Sequence, residues 1–230
     1  MALPLLNETA KYELKIPSSG KKLKYRPYLV KEEKILLMAA ESKDINQISG
    51  AILDTVTACT DGKINKKELT TFDVEYIFLQ LRAKSVGENI SLNIKCDECE
   101  HENEHVVNID EIKCDVPKKS NIIKISDTIS VEMQYPSYDM LDFNDDPESA
   151  GFAILGKCIK AVLTEDERIE IADESEESIK NFIGSMTQNQ FEKVSMFLQD
   201  MPAVKHDINF VCQSCGHTND IHLQGMQSFF

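Results

Sequence analysis

The strongest constraint on this chain is a stretch that occurs twice. "LNIKCDECEHENEHVVNI" at residues 92–109 and "INFVCQSCGHTNDIHLQG" at residues 208–225 align without a gap. Each copy carries Cys-x-x-Cys, and the alignment matches His101 with His217 and Asn103 with Asn219. Apolar and polar residues alternate on both sides of the cysteines, as in two strands joined by a turn. In a zinc ribbon each Cys-x-x-Cys occupies such a turn, where backbone N–H groups point at the sulfurs. Two of these knuckles supply four thiolates to one tetrahedral Zn²⁺ at ~2.3 Å. Cys96, Cys99, Cys212 and Cys215 are therefore the predicted ligands of a structural Zn²⁺. Four protein ligands leave no open position for a substrate. Residues 100–211 separate the pairs, against ~15–20 residues in a simple ribbon, so a helical region is expected between the knuckles. Because the unfolded chain has no such site, metal binding free energy acts as folding free energy and closes distant parts of the chain.

Other chemistries fit these residues less well. His101-Glu102-Asn103-Glu104-His105 matches His-Glu-x-x-His, the metalloprotease pattern, which needs both imidazoles on one helix face. Here the match begins two residues after Cys99 and runs into an expected strand, too extended for His101 and His105 to chelate one ion. The second copy has no second His at that spacing. A redox dithiol needs the strand-to-helix setting of a thioredoxin-like fold, which both pairs lack. "TACTDGKINKKE", residues 57–68, imitates the back half of an EF-hand loop through Gly62, Ile64 and Glu68. Thr57 and Cys59, however, stand where acidic ligands belong. A turn between helices with Gly62 at positive φ is the expectation. Cys59 and Cys158 fall on apolar helical faces and Cys114 between strands, as core thiols do. With no Gly-rich phosphate loop and no Ser-His-Asp or Cys-His arrangement, the sequence predicts a protein that is not an enzyme.

A length of 230 residues with 42% apolar content suits one large domain or two small ones with a buried core. A net charge of -14 argues against nucleic acid as a partner. No stretch approaches the ~18 apolar residues of a membrane span, and "MALPLLNETAKYELKIP" lacks the cationic start and apolar run of an export signal. Seven cysteines, an odd number, point to a reducing cytosol. The charge is uneven: residues 1–36 hold eight Lys and Arg against four acids, and residues 139–180 hold thirteen acids against four bases. Solvated faces are the plain account of both runs, and docking surfaces for proteins the sharper one.

Turn residues and periodicity divide the chain into an N-terminal hairpin and helical region (1–90), a first knuckle with hairpins (91–135), an inserted acidic helical region (136–202), and a second knuckle with a tail (203–230). Strands are predicted at 12–16 and 23–29, and helices at 31–42, 45–59 and 71–84. The first knuckle and then a hairpin turning at Ser126 and Asp127 follow. Further helices are predicted at 137–144, 150–163, 175–184 and 187–200, the last opened by a Thr187/Gln190 capping box. Strands around Cys212 close an α+β fold with a split zinc-ribbon-like element.

"KLKYRPYLVKEEKILLMAAES" (23–42) sets Arg-Pro-Tyr-Leu-Val directly before a helix, and "FDVEYIFLQLRAKSVGE" (72–88) follows downstream. In these segments, in length and in acidity, the chain resembles the baseplate hub family of T-even-like contractile-tailed bacteriophages, most strongly over residues 10–90. The resemblance implies a hub subunit or hub assembly chaperone that binds hub and tape-measure proteins, works in the host cytoplasm and is a candidate virion component. Residues 21–38 and the tail at 226–230 are the candidate partner surfaces. Phe229 and Phe230 are placed equally well in a partner groove or in the chain's own core. A zinc-ribbon adaptor of transcription machinery is the alternative, disfavoured by acidity. Oligomeric state stays open.

Overall fold

Four helix starts in this chain are written by side-chain oxygens. Asp44 accepts from the N–H groups of Asn46 and Gln47, Thr70 from Asp73, Ser175 from Ser178 and Thr187 from Gln190. Each satisfies a backbone donor that has no partner within the helix. A computed structural model describes residues 10–117, 119–140 and 147–229, and the backbone alone at 139 and 147–150. In chain order the elements are β1 (Tyr12–Lys15), β2 (Lys22–Tyr25), α1 (Val30–Ser42), α2 (Ile45–Cys59), α3 (Thr71–Ser85), β3 (Asn89–Lys95) and β4 (Glu102–Asn108). They continue with β5 (Ile122–Lys124), β6 (Ser130–Met133), α4 (Pro147–Cys158), β7 (Ile159–Leu163), β8 (Arg168–Glu170), α5 (Glu176–Gly184), α6 (Gln188–Gln199), β9 (Lys205–Val211) and β10 (Thr218–Gln224). The described residues thus form a mixed α and β fold with small antiparallel sheets.

The chain divides into two units, Met1–Val116 with Pro202–Phe230, and Pro117–Met201. In the first, the β1–β2 hairpin buries Leu14 and Leu23 and turns its lysines outward. Its turn is tied to the start of α3 by Asp73, a fully buried carboxylate. Asp73 accepts from Ser18 N (2.9 Å), Ser18 Oγ (2.6 Å), Thr70 N (3.1 Å) and Thr70 Oγ (2.7 Å). Arg26 and Glu32 pair at 2.9 Å with both side chains largely buried. Burial opposes ionisation of Glu32, yet the Arg26 guanidinium and the Leu29 N–H hold its carboxyl below the usual range. The core of this unit joins Leu79 and Ala83 of α3 to Ile90, Ile94 and Val107 of β3–β4 and to Ile208 and Phe210 of β9.

The second unit is a four-stranded antiparallel sheet in the order β5-β6-β7-β8. It shares a core with the helices through Val131, Met133, Leu155, Ile159, Ile183 and Val194. Across the sheet Glu132 takes Lys160 at 2.9 Å and also pairs with Arg168.

Several expectations change here. The helix expected over 150–163 ends at Cys158, and Ile159–Leu163 continue as β7 paired with β6. β-branched Ile159 and Val162 fit a pleated surface, and the ladder to β6 prevails over helical periodicity. β8, not anticipated, follows as its partner. The second strand stops at Tyr25, ahead of Pro27, which has no N–H for a ladder. Of the helix expected at 137–144, Tyr138–Met140 form a single 3₁₀ turn, and residues 141–146 lie outside the described residues. Phe229 is fully buried among Leu79, Ile109 and Val204, so it belongs to the core and offers no anchor to a partner; Phe230 is outside the described residues. The turn after α2 places Gly62 at φ 65 as expected, with Asp61 also left-handed and paired to Lys11.

Candidate metal centre

Strand alternation carries the cysteines to their positions. In β3 the inward residues Ile90 and Ile94 lead to buried Cys96, and in β9 Ile208 and Phe210 lead to buried Cys212. Cys99 and Cys215, three residues on, are exposed. The two hairpins share one register: Lys95 faces Glu102 in the first, and Val211 faces Thr218 in the second. Each is closed by the same six-residue knuckle. Cys96 N donates to His101 O (3.0 Å) and Glu100 N to Cys96 O (2.9 Å), while Cys212 N donates to His217 O (2.8 Å) and Gly216 N to Cys212 O (3.0 Å). The turn requires a left-handed residue after the second cysteine, Glu100 at φ 57 and Gly216 at φ 74.

The four sulfurs converge. Cys96 Sγ lies 3.7 Å from Cys215 Sγ and Cys99 Sγ 3.7 Å from Cys212 Sγ, and all four lie within 4.8 Å of one another. A tetrahedron with ~2.3 Å metal–sulfur bonds has edges of about 3.8 Å, so the spacing suits one ion. It is far beyond the ~2 Å of a disulfide. Backbone N–H groups of Cys215 and Ser214, with the Asn103 amide, outweigh burial and push the Cys212 thiol down to about 6. At Cys215 the sulfurs of Cys99, Cys96 and Cys212 overcome the His217 N–H and push the thiol up to about 12. Four thiolates this close cannot all ionise without a cation among them. The cluster could hold a metal ion of the thiolate-preferring kind.

Two residues that the sequence alignment matched, without a role, complete the site. Asn103 is 2% exposed and Asn219 1%. Each reaches to the opposite knuckle: Asn103 Oδ1 accepts from Gln213 N (3.0 Å), and Asn219 Oδ1 from Asp97 N (2.9 Å). Each amide also donates to its own turn, Asn103 Nδ2 to His101 O (2.9 Å) and Asn219 Nδ2 to His217 O (3.1 Å). Asn103 Nδ2 further lies 3.7 Å from Cys212 Sγ. An Asn at the same place in both copies, four residues after the second cysteine, was the available signal.

His101 and His105 do not build a protease site. The whole His-Glu-x-x-His match lies in the knuckle and β4, and His105 packs on the Phe210 ring at 4.3 Å between centroids. Cys59, Cys114 and Cys158 stand apart from the cluster, and burial pushes their thiols up to about 11, 12 and 12. Among the described residues no helix is long and apolar enough to cross a membrane.

A family model described as T4 bacteriophage base plate protein matches residues 9–230. The chain belongs to that family. The match spans both Cys-x-x-Cys hairpins and extends the likeness seen at 23–42 and 72–88 over nearly the whole chain. No curated protein and no solved structure matches it. Membership in the baseplate family makes this a phage tail component that works among other tail proteins.

Proposed function

We propose that the chain is a non-enzymatic subunit or assembly chaperone of the baseplate hub, that it binds hub and tape-measure proteins, and that Cys96, Cys99, Cys212 and Cys215 hold a structural Zn²⁺. The observation that carries this reading is the four-sulfur cluster, two pairs at 3.7 Å and all four within 4.8 Å, which would fill the four positions of one tetrahedral ion and leave none for a substrate. Such a centre stiffens a scaffold. The partner surface is the basic hairpin with α1. Lys15, Lys22 and Lys24 share the outer face of β1–β2, and Val30 (79% exposed), Leu37 (61%) and Met38 (60%) stand out on α1. Apolar side chains this exposed favour burial against another protein.

Two experiments test the reading. Metal analysis of protein purified without added metal should give one Zn per chain, lost when either Cys pair is changed to Ser. Zn retained by the four-Ser variant would remove the site. Capture of the tagged chain from cells expressing the neighbouring tail proteins should retain hub or tape-measure proteins, and charge reversal at Lys21, Lys22 and Lys24 should release them. Retention unchanged by that reversal would remove the proposed surface.

A further inference from the structure

The knuckles come from segments more than a hundred positions apart, yet they are locked by bonds that involve no metal. Asn103 Oδ1 takes the N–H of Gln213, directly after Cys212, and Asn219 Oδ1 takes that of Asp97, directly after Cys96. The lock is reciprocal and nearly two-fold. Each amide also fixes its own turn through the carbonyl of His101 or His217, so its rotamer is set at both ends. In this orientation the remaining N–H of Asn103 faces Cys212 Sγ at 3.7 Å. Asn103 thus serves the buried cysteine of the opposite hairpin, and Asn219, at the matching place, reaches the residue after buried Cys96, while Cys99 and Cys215 are exposed.

We infer that Asn103 and Asn219 are positioning residues. They clamp the two knuckles together and hold the four sulfurs at ion-binding spacing before an ion arrives. This rests on the reading of the cluster as a metal site. The consequence is specific: the ion enters a closed site and does not itself gather the two ends of the chain. Partners that orient metal ligands typically change affinity by 10- to 100-fold when removed. Replacement by Asp keeps the oxygen that accepts from Gln213 or Asp97, loses the N–H that bonds the turn carbonyl and, at Asn103, faces sulfur, and sets a carboxylate oxygen in its place.

The test uses the full chain, stripped of metal by chelation and titrated with Zn²⁺ or Co²⁺ alone. In the stripped wild type, the amides of Asp97 and Gln213 should remain protected from hydrogen exchange. Exchange at the rate of an open chain would show that the ion closes the site, and the inference would fall. Asn103→Asp and Asn219→Asp should each weaken Zn²⁺ binding 10- to 100-fold and displace the thiolate-to-cobalt absorption bands, with far-ultraviolet circular dichroism and Leu14 and Leu23 protection unchanged. Binding within twofold of wild type and unshifted bands would overturn the positioning role while leaving the metal site standing. Wild-type protein that takes up neither ion stoichiometrically would instead overturn the metal reading beneath it. Should either Asp variant fail to fold, the exchange measurement on the stripped wild type decides alone.

Discussion

Asp73→Ala tests how the β1–β2 hairpin is held. The fully buried carboxylate accepts four hydrogen bonds, two from backbone N–H groups at Ser18 and Thr70 and two from the hydroxyls of the same residues. Alanine strands both backbone donors, at about 1–3 kcal/mol each, while the hydroxyls rotate to other partners. One of these two, the Thr70 N–H, is the bond that the acidic half of the α3 capping box supplies. Relief of a buried charge offsets part of this, which leaves a net loss of about 3 kcal/mol. Asp73→Asn keeps one acceptor oxygen and should cost roughly half as much. Because the chain has two units, a single unfolding transition is not assured, so the assay is native-state hydrogen exchange at Leu14 and Leu23, which reports the opening of this hairpin. Protection at those amides should fall by about two orders of magnitude in Asp73→Ala, and the capture of tail proteins proposed for Lys21, Lys22 and Lys24 should weaken with it. A change below 1 kcal/mol would refute the claim that Asp73 anchors the hairpin to α3.

Other perturbations have definite signs. Phe229→Ala empties a fully buried position and should cost about 3–5 kcal/mol, read as a lower urea midpoint and poorer solubility; a neutral result would return the tail to the partner surface. Glu100→Gly places glycine at φ 57, where its counterpart is Gly216, and should stabilise the first knuckle by about 0.5–1 kcal/mol in the same assay; destabilisation would mean that the Glu100 side chain contributes more than its backbone costs. Burial on α3 pushes Glu75 up to about 7 against the opposing Met226 N–H. Its folded pKa is raised, so its contribution is fully present below the ordinary carboxylate range and is lost as pH rises through about 7. Glu75→Gln should therefore raise the urea midpoint at pH 8 and leave it nearly unchanged at pH 4; equal midpoint shifts at both would refute the assignment.

Local signals were read well where local physics decides. The boundaries of α2 at Ile45 and Cys59, the capping box at Thr187 and Gln190, and the left-handed Gly62 all follow from side chains within one or two turns. β7 is not legible locally, because Ala161, Val162 and Leu163 suit a helix face as well as a strand, and only the ladder to β6 chooses between them. Glu32 stands in a helical first turn, and its burial is not legible there, because it depends on Arg26, six residues earlier, folding back onto it. The burial of Phe229 was equally illegible, since its surroundings come from α3, the Ile109 turn and Val204.

The duplicated Cys-x-x-Cys hairpins were determined by the sequence itself: repeated residue type and strand alternation fix which sulfurs point inward and how each turn closes. Their meeting was decided only by tertiary structure. Nothing local to residues 96–99 specifies residues 212–215 as neighbours; the shared core of α3, β3 and β9 aligns the two hairpins, and Asn103 and Asn219 then bond across them. Spacing along a chain encodes local geometry, whereas a four-sulfur centre assembled across a hundred residues exists only once the packing that carries both halves has formed.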